Sequence, residues 1–124
     1  MGAGFLESVY QNALLIALRQ KGLDARPQFP LAAKFRGEIV EQFYADILVK
    51  ETVIVELKAV TALASEHQAQ VINYLKATGI EVGLLVNFGR QDRVQAFAQV
   101  NSNRIDRMNR ITKSLPILSI LLEI

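Results

Sequence analysis

Apolar residues in the first part of the chain recur at helical spacing: Phe5, Leu6, Val9, Tyr10, Ala13, Leu14, Ala17 and Leu18. This predicts a helix over residues 6–21 with one buried face, closed by Gly22 and carrying Arg19 and Lys21 in its last turn. After Pro27 and Pro30 the period changes to two. Phe29, Leu31, Ala33 and Phe35 alternate and predict a first strand, and Arg36-Gly37-Glu38 predicts a turn. Residues 39–50 read as a second strand. Ile39, Glu41, Phe43, Ala45, Ile47 and Val49 share one parity, and Val40, Gln42, Tyr44, Asp46 and Leu48 share the other.

A turn at Lys50-Glu51-Thr52 leads into residues 53–59, the strongest β signal in the chain. This strand is apolar on both parities except at Glu56 and Lys58, the pattern of a central strand covered on both sides. A second helix follows over residues 62–78, ended by Gly79, and then an apolar strand over residues 80–88. The order strand, helix, strand predicts a right-handed crossover and a parallel pair. Beyond Gly89 the pattern weakens: Val94, Phe97 and Val100 read as a short helix or an irregular segment. Ile105, Met108, Ile111, Thr112 and Leu115 suggest a further helix, broken near Pro116. The order αβββαβ predicts an α/β fold bordering on α+β, with a central mixed four-stranded sheet flanked by helices.

The length of 124 residues predicts one domain. A net charge of +2 permits contact with nucleic acid without arguing for it. The basic residues are unevenly placed, with Arg90, Arg93, Arg104, Arg107, Arg110 and Lys113 close together. Absence of cysteine excludes a disulfide scaffold, a thiolate metal site and a cysteine nucleophile, and fits a reducing, cytoplasmic setting. The N-terminus has no basic region ahead of an apolar core, so no signal peptide is expected. No apolar run reaches membrane-spanning length, and no membrane contact is expected. The apolar tail, residues 115–124, is expected to be buried in the domain or in a homo-oligomer.

Three polar side chains interrupt this apolar frame. Glu56 and Lys58, two apart on a strand, project to one face. Asp46 lies on the neighbouring strand, where a bend or bulge is expected to be needed to bring it opposite Glu56. Two carboxylates are hard oxygen ligands for Mg²⁺ or Mn²⁺, and the Leu57 carbonyl between Glu56 and Lys58 is available as another. Such an ion neutralises phosphoryl charge and acidifies water, and the neighbouring lysine orients or deprotonates that water.

The helices add Gln70 and Tyr74, four apart on one face, and Glu7 and Tyr10, three apart on another. Glu7 is a further metal-directed carboxylate, balanced against a plain role in the first turn of its helix. Tyr10 and Tyr74 read chiefly as packing residues with a hydroxyl hydrogen bond. His67, the single histidine, reads as an exposed or helix-face hydrogen bonder. Neither a hydrolase triad pattern nor a glycine-rich nucleotide loop is present.

In their order and spacing these residues resemble a known family. Gly4-Phe5-Leu6-Glu7-Ser8-Val9-Tyr10 is similar to the motif that names the GxxExxY proteins. Asp46, Glu56-x-Lys58-Ala59, Gln70-x-x-x-Tyr74 and Leu84-Leu85-Val86-Asn87-Phe88-Gly89 resemble the rest of its pattern. That family is placed among the PD-(D/E)xK, restriction-endonuclease-like nucleases. The resemblance covers roughly residues 4–89. It implies an αβββαβ core in which Asp46, Glu56 and Lys58 are catalytic and Glu7 and Gln70 auxiliary, followed here by an atypical C-terminal helical region. The Gln70 to Tyr74 spacing resembles the exonuclease branch of the superfamily.

The implied activity is divalent-metal-dependent hydrolysis of phosphodiester bonds, with DNA the expected substrate and RNA the second. Lys34, Arg36, Arg90 and Arg93 are the expected nucleic-acid contacts. The competing expectation is an inactive nuclease-fold protein that binds nucleic acid or a protein partner.

Overall fold

The computed structural model describes residues 3–89, 95–100, 117, 119 and 120. Its elements run α1 (Ala3–Gln20), β1 (Ala25–Phe35), β2 (Glu38–Val49), β3 (Val53–Lys58), α2 (Ser65–Thr78), β4 (Val82–Asn87) and β5 (Gln95–Val100). The expected αβββαβ order is present, and the strands lie in sequence order in one mixed sheet. β1, β2 and β3 form an antiparallel meander, β3 and β4 are parallel across the α2 crossover, and β5 returns antiparallel to β4.

Among the described residues the sheet has five strands rather than the four expected. The correction comes from Gln95–Val100, which pairs with β4 from Asn87↔Gln95 to Val82↔Val100 where a helix or irregular segment was expected. Spacing of three among Val94, Phe97 and Val100 concealed a plain alternation of Gln95, Phe97 and Gln99 with Ala96, Ala98 and Val100. An apolar β4 with one open edge also has backbone groups to satisfy, and a strand does this at every second residue. β1 starts four residues earlier than expected and runs through Pro27 and Pro30. Among the described residues it is an edge strand, where missing N–H donors are tolerated.

Two apolar clusters cover the two faces. Leu14, Leu15 and Leu18 of α1 pack on Ile47, Val49, Val53, Val55, Leu57, Leu84 and Val86. Leu75 of α2 packs with Ala45, Leu48 and Ile54, joined by Phe29, Leu31, Tyr74 and Ile80. Ala45 and Leu48 are three apart, yet they share one face. Regular alternation would separate them, so the expected common parity of Ala45 and Ile47 breaks between them, at Asp46. The facing position on β1 is Gln28, which takes a left-handed φ of 47° and is skipped between the pairs Pro27↔Ile47 and Phe29↔Ala45.

Ile117, Ser119 and Ile120 are helical, with Ile117 and Ile120 buried in the α1-side cluster. Part of the apolar tail is thus used within the chain itself. The helix expected over residues 105–115 lies outside the described residues, as do Arg90 and Arg93.

Candidate active site

β3 is the third of five strands, so its side chains meet a helix layer on each face. Val53, Val55 and Leu57 belong to the α1 side and Ile54 to the α2 side. Glu56 and Lys58 share the parity of Ile54 and therefore project toward α2. β2 pairs with β3 at Val49↔Val53, Leu48↔Ile54 and Ile47↔Val55. Continued by one step, this register sets Asp46 beside Glu56. The three-residue loop sets that register, and the expected irregularity lies within β2 at Asp46, where the alternation breaks.

The ladder changes character at that step. The Leu57 N–H donates to Asp46 Oδ2 at 2.8 Å, and the Asp46 N–H donates to Glu56 Oε1 at 3.3 Å. Side-chain carboxyl oxygens thus accept from strand N–H groups where the regular backbone pairing ends. A strand residue directs its N–H and C=O to the same edge. The Leu57 carbonyl therefore faces the β2 edge, on Asp46's side.

Glu56 is only 7% exposed. Burial first, then the charge of Asp46, pushes its carboxyl up from the ordinary 4.5 to about 8, and a carboxyl–carboxyl hydrogen bond to Asp46 adds to the rise. The Asp46 N–H and the positive charge of Lys58 act in the opposite direction. Lys58 is half-buried at the end of β3. Among the described residues it forms no ion pair within 4.0 Å.

Gln70 and Tyr74 meet as their helical spacing predicts: the Gln70 amide donates to the Tyr74 hydroxyl at 2.7 Å. Tyr74 stacks on Phe43 of β2, with centroids 3.9 Å apart and planes at 13°. Its hydroxyl pKa is raised by burial first and then by the charges of Glu56 and Glu41. The Gln70–Tyr74 pair therefore lies in the electrostatic field of the carboxylate site. Between α2 and the β1–β2 hairpin runs a trough of about 560 Å³, with Glu41 and Phe43 on one wall and Glu66, His67, Gln70 and Tyr74 on the other. His67 accepts the Ala64 N–H at 3.0 Å, so it caps the start of α2, which begins three residues later than expected.

Tyr10 packs on the opposite face, stacked on Phe88 at 3.9 Å with planes at 3°. It helps to anchor α1. Glu7, one turn earlier and half-buried, belongs to the same α1 layer. Among the described residues no three His, Cys, Asp or Glu side chains form a group able to hold a metal, so Glu7 does not complete the Asp46–Glu56 pair. The sheet explains this separation: α1 covers the face opposite the one from which Glu56 projects. Lys34 and Arg36 are exposed near the tip of the β1–β2 hairpin.

One positioning residue had no assigned role in the sequence. Asn87, fully buried at the end of β4, accepts the Val60 N–H at 3.0 Å and donates to the Val60 carbonyl at 2.9 Å. Its Oδ1 also accepts the Gly89 N–H at 3.0 Å. Gly89 lies so close to the Val60 backbone that a Cβ there would collide with it. Together they fasten the chain just beyond Lys58. The signal was a polar residue in an otherwise apolar strand; its partner, a backbone segment 27 residues away, had no mark in the sequence.

The donor set suits a hard divalent cation. Mg²⁺ is commonly held by one or two carboxylates, with waters and substrate oxygens completing its shell. Two neighbouring carboxyl groups, one of them deeply buried, are a costly arrangement that a cation relieves.

The PD-(D/E)XK nuclease superfamily matches residues 1–100. Among solved structures the chain is similar to SSO0001, with a TM-score of 0.59 and 17% identity over 93% of this chain and 60% of that one. It is also similar to the alkaline exonuclease LHK-Exo from Laribacter hongkongensis, with a TM-score of 0.56 and 13% identity over 99% of this chain and 70% of that one. The chain thus spans only part of the length of both. At these identities the likeness is one of fold, and that fold is restriction-endonuclease-like. No curated protein matches the chain. The superfamily match takes in both strands that carry the carboxylates and most of the 124 residues, and the chain belongs to the PD-(D/E)XK nuclease superfamily.

Proposed function

We propose that the chain is a divalent-metal-dependent nuclease that hydrolyses phosphodiester bonds of DNA at the Asp46–Glu56 site. The observation that carries this reading is the pairing of the two carboxyl groups across β2 and β3, each accepting a backbone N–H of the other strand, on the face that carries Lys58. Asp46, Glu56 and the Leu57 carbonyl would hold Mg²⁺ or Mn²⁺. Once bound, the ion would neutralise phosphate charge and lower the pKa of water.

The protein's own side chains supply the rest. Lys58, on the face of Glu56, orients the attacking water and the phosphate oxygens. Its fixed positive charge favours the extra negative charge that develops as the water oxygen bonds to phosphorus. The P–O bond to the leaving oxygen breaks; the attacking water gives up a proton to solvent, and the leaving oxygen takes one from solvent. Gln70, held by Tyr74, presents a polar amide at the rim for a phosphate or the water. Lys34 and Arg36 would contact the nucleic-acid backbone farther out, with Arg90 and Arg93 as further candidates. Glu7, on the α1 side, would be an auxiliary carboxylate rather than a direct partner of the pair.

The test is cleavage of linear, nicked and single-stranded DNA, and of RNA, with Mg²⁺, Mn²⁺ or EDTA, using wild type and Glu56→Gln from matched preparations. Metal-dependent cleavage that vanishes in Glu56→Gln supports the assignment. Equal cleavage by both proteins, or cleavage unaffected by EDTA, sinks it.

A further inference from the structure

The β1–β2 hairpin outruns the sheet. Its two strands pair from Ala25↔Val49 to Phe35↔Glu38, whereas β2 pairs with β3 only as far as Ile47. The part beyond Asp46 is a two-stranded arm reaching past the site. Its tip is apolar in an unusual way: Phe35 is 62% exposed, Ile39 52% and Val40 65%, and none belongs to a core cluster.

The turn is also particular. Arg36 and Gly37 take φ of 51° and 83°, the pair of left-handed residues that a tight two-residue hairpin requires. Arginine is a poor residue there, and asparagine or aspartate would sit with less strain. The guanidinium of Arg36 lies over the Phe35 ring at 5.1 Å. One ring face is thereby capped by a cation while much of the side chain remains open to solvent.

We propose that this tip is a base-stacking contact for single-stranded nucleic acid, with Phe35 as the stacking residue and Lys34 and Arg36 as its phosphate contacts. The proposal rests on the nuclease reading above and adds where the strand goes after the site. An exposed aromatic between two cations is the composition that binds unpaired bases without sequence preference. Lys34 and Arg36 outweigh Glu38, the acidic residue paired across from Phe35. The trough between the arm and α2 is lined by Gln70 and Tyr74 and also by Glu41 and Glu66, whose charges repel phosphates from it. The sugar–phosphate chain therefore follows the rim toward the basic tip. From Asp46 to Glu38 the arm spans eight strand residues, about 27 Å at ~3.4 Å per residue, or roughly eight stacked nucleotides at a similar rise.

The test uses the full chain with Glu56→Gln to keep substrate uncut, and fluorescence anisotropy with single-stranded DNA of about six and about sixteen nucleotides, the lengths chosen around the roughly eight-nucleotide reach. Phe35→Ala is expected to weaken binding of the longer oligonucleotide roughly five- to thirtyfold, to leave the shorter one unchanged, and to be rescued by Phe35→Trp. Equal affinity of parent and Phe35→Ala for the longer strand overturns the tip contact while leaving the nuclease reading intact. An equal loss for both lengths overturns the proposed position. If neither strand binds and wild type shows no metal-dependent cleavage, both readings fall together. Concentration-dependent self-association of the parent that Phe35→Ala abolishes would assign the tip to a second copy of the chain and overturn the proposal.

Discussion

Asp46 and Glu56 are tied to each other across two strands: the Asp46 N–H donates to Glu56 Oε1 at 3.3 Å, and Asp46 Oδ2 takes the N–H of Leu57 at 2.8 Å. Each carboxyl group occupies a hydrogen-bonding position at the place where the regular ladder stops. The site is therefore made by interrupting the sheet, and its costs and uses follow from that interruption.

The first consequence is a stability that falls with pH. Glu56 has a folded pKa of about 8 against an ordinary 4.5. Below about 4.5 it is neutral in both folded and unfolded chains. Between the two values the unfolded chain has released the proton that the folded chain keeps, so each rise in pH favours unfolding. Above about 8 the charge is buried in full and the loss is complete. Metal-free wild type should lose stability on the order of a few kcal/mol across this window. Glu56→Gln should show a flat profile and exceed wild type most above pH 8. Denaturant melts at intervals between pH 4 and 9 in EDTA measure the difference; parallel profiles would refute it.

A cation at this site competes with that proton. Affinity for Mn²⁺ should rise steeply with pH until Glu56 ionises freely, with roughly a hundredfold weakening two pH units below its pKa. Calorimetry at pH 6 in buffers of different ionisation heat should record nearly one proton released per ion, and almost none at pH 9. Asp46→Asn and Glu56→Gln should each abolish the heat of binding.

Tyr74 offers a way to separate positioning from packing. Tyr74→Phe keeps the stack on Phe43 but removes the partner of the Gln70 amide. Its stability should change by about 1 kcal/mol or less, because the bond is partly solvated. Cleavage should nevertheless fall, chiefly in kcat, as Gln70 loses its fixed orientation. Tyr74→Ala removes the stack as well and, for a half-buried ring, should cost about 1–3 kcal/mol. Steady-state kinetics with thermal melts on both variants distinguish the two effects; an unchanged kcat in Tyr74→Phe would count against a role for Gln70.

Asn87 and Gly89 should matter although neither belongs to the carboxylate pair. Asn87→Ala strips three hydrogen bonds from the Val60 and Gly89 backbone in a buried place and should cost roughly 2–4 kcal/mol. Gly89→Ala drives a methyl group into the Val60 backbone and should cost a similar amount. Both should lower cleavage at temperatures where the protein is still folded, since the end of β3 that carries Lys58 loses its anchor. Full activity in a folded Asn87→Ala protein would show that Lys58 is held by β3 alone.

The elements themselves were legible in the chain. The 3.6-residue period before Gly22 and the doubly apolar run at Val53–Lys58 each name one kind of structure. So did the same-face placement of Glu56 and Lys58, and of Gln70 and Tyr74, because spacing within one element follows from its local geometry. β5 was not legible, since a weakly apolar segment takes its structure from the open edge it joins.

Relations between elements were decided only by the folded sheet. The register of the β2–β3 loop sets Asp46 beside Glu56, and the kink at Gln28 and Asp46 moves Ala45 to the α2 side. α1 packs on the far face, which keeps Glu7 apart from the pair, and Asn87 finds its partner in Val60. The sequence by itself determined which side chains carry the chemistry, because residue type and period are local properties. Tertiary structure decided which of them meet, because contact across strands depends on register, sheet face and helix layer, and none of these is encoded within a single element.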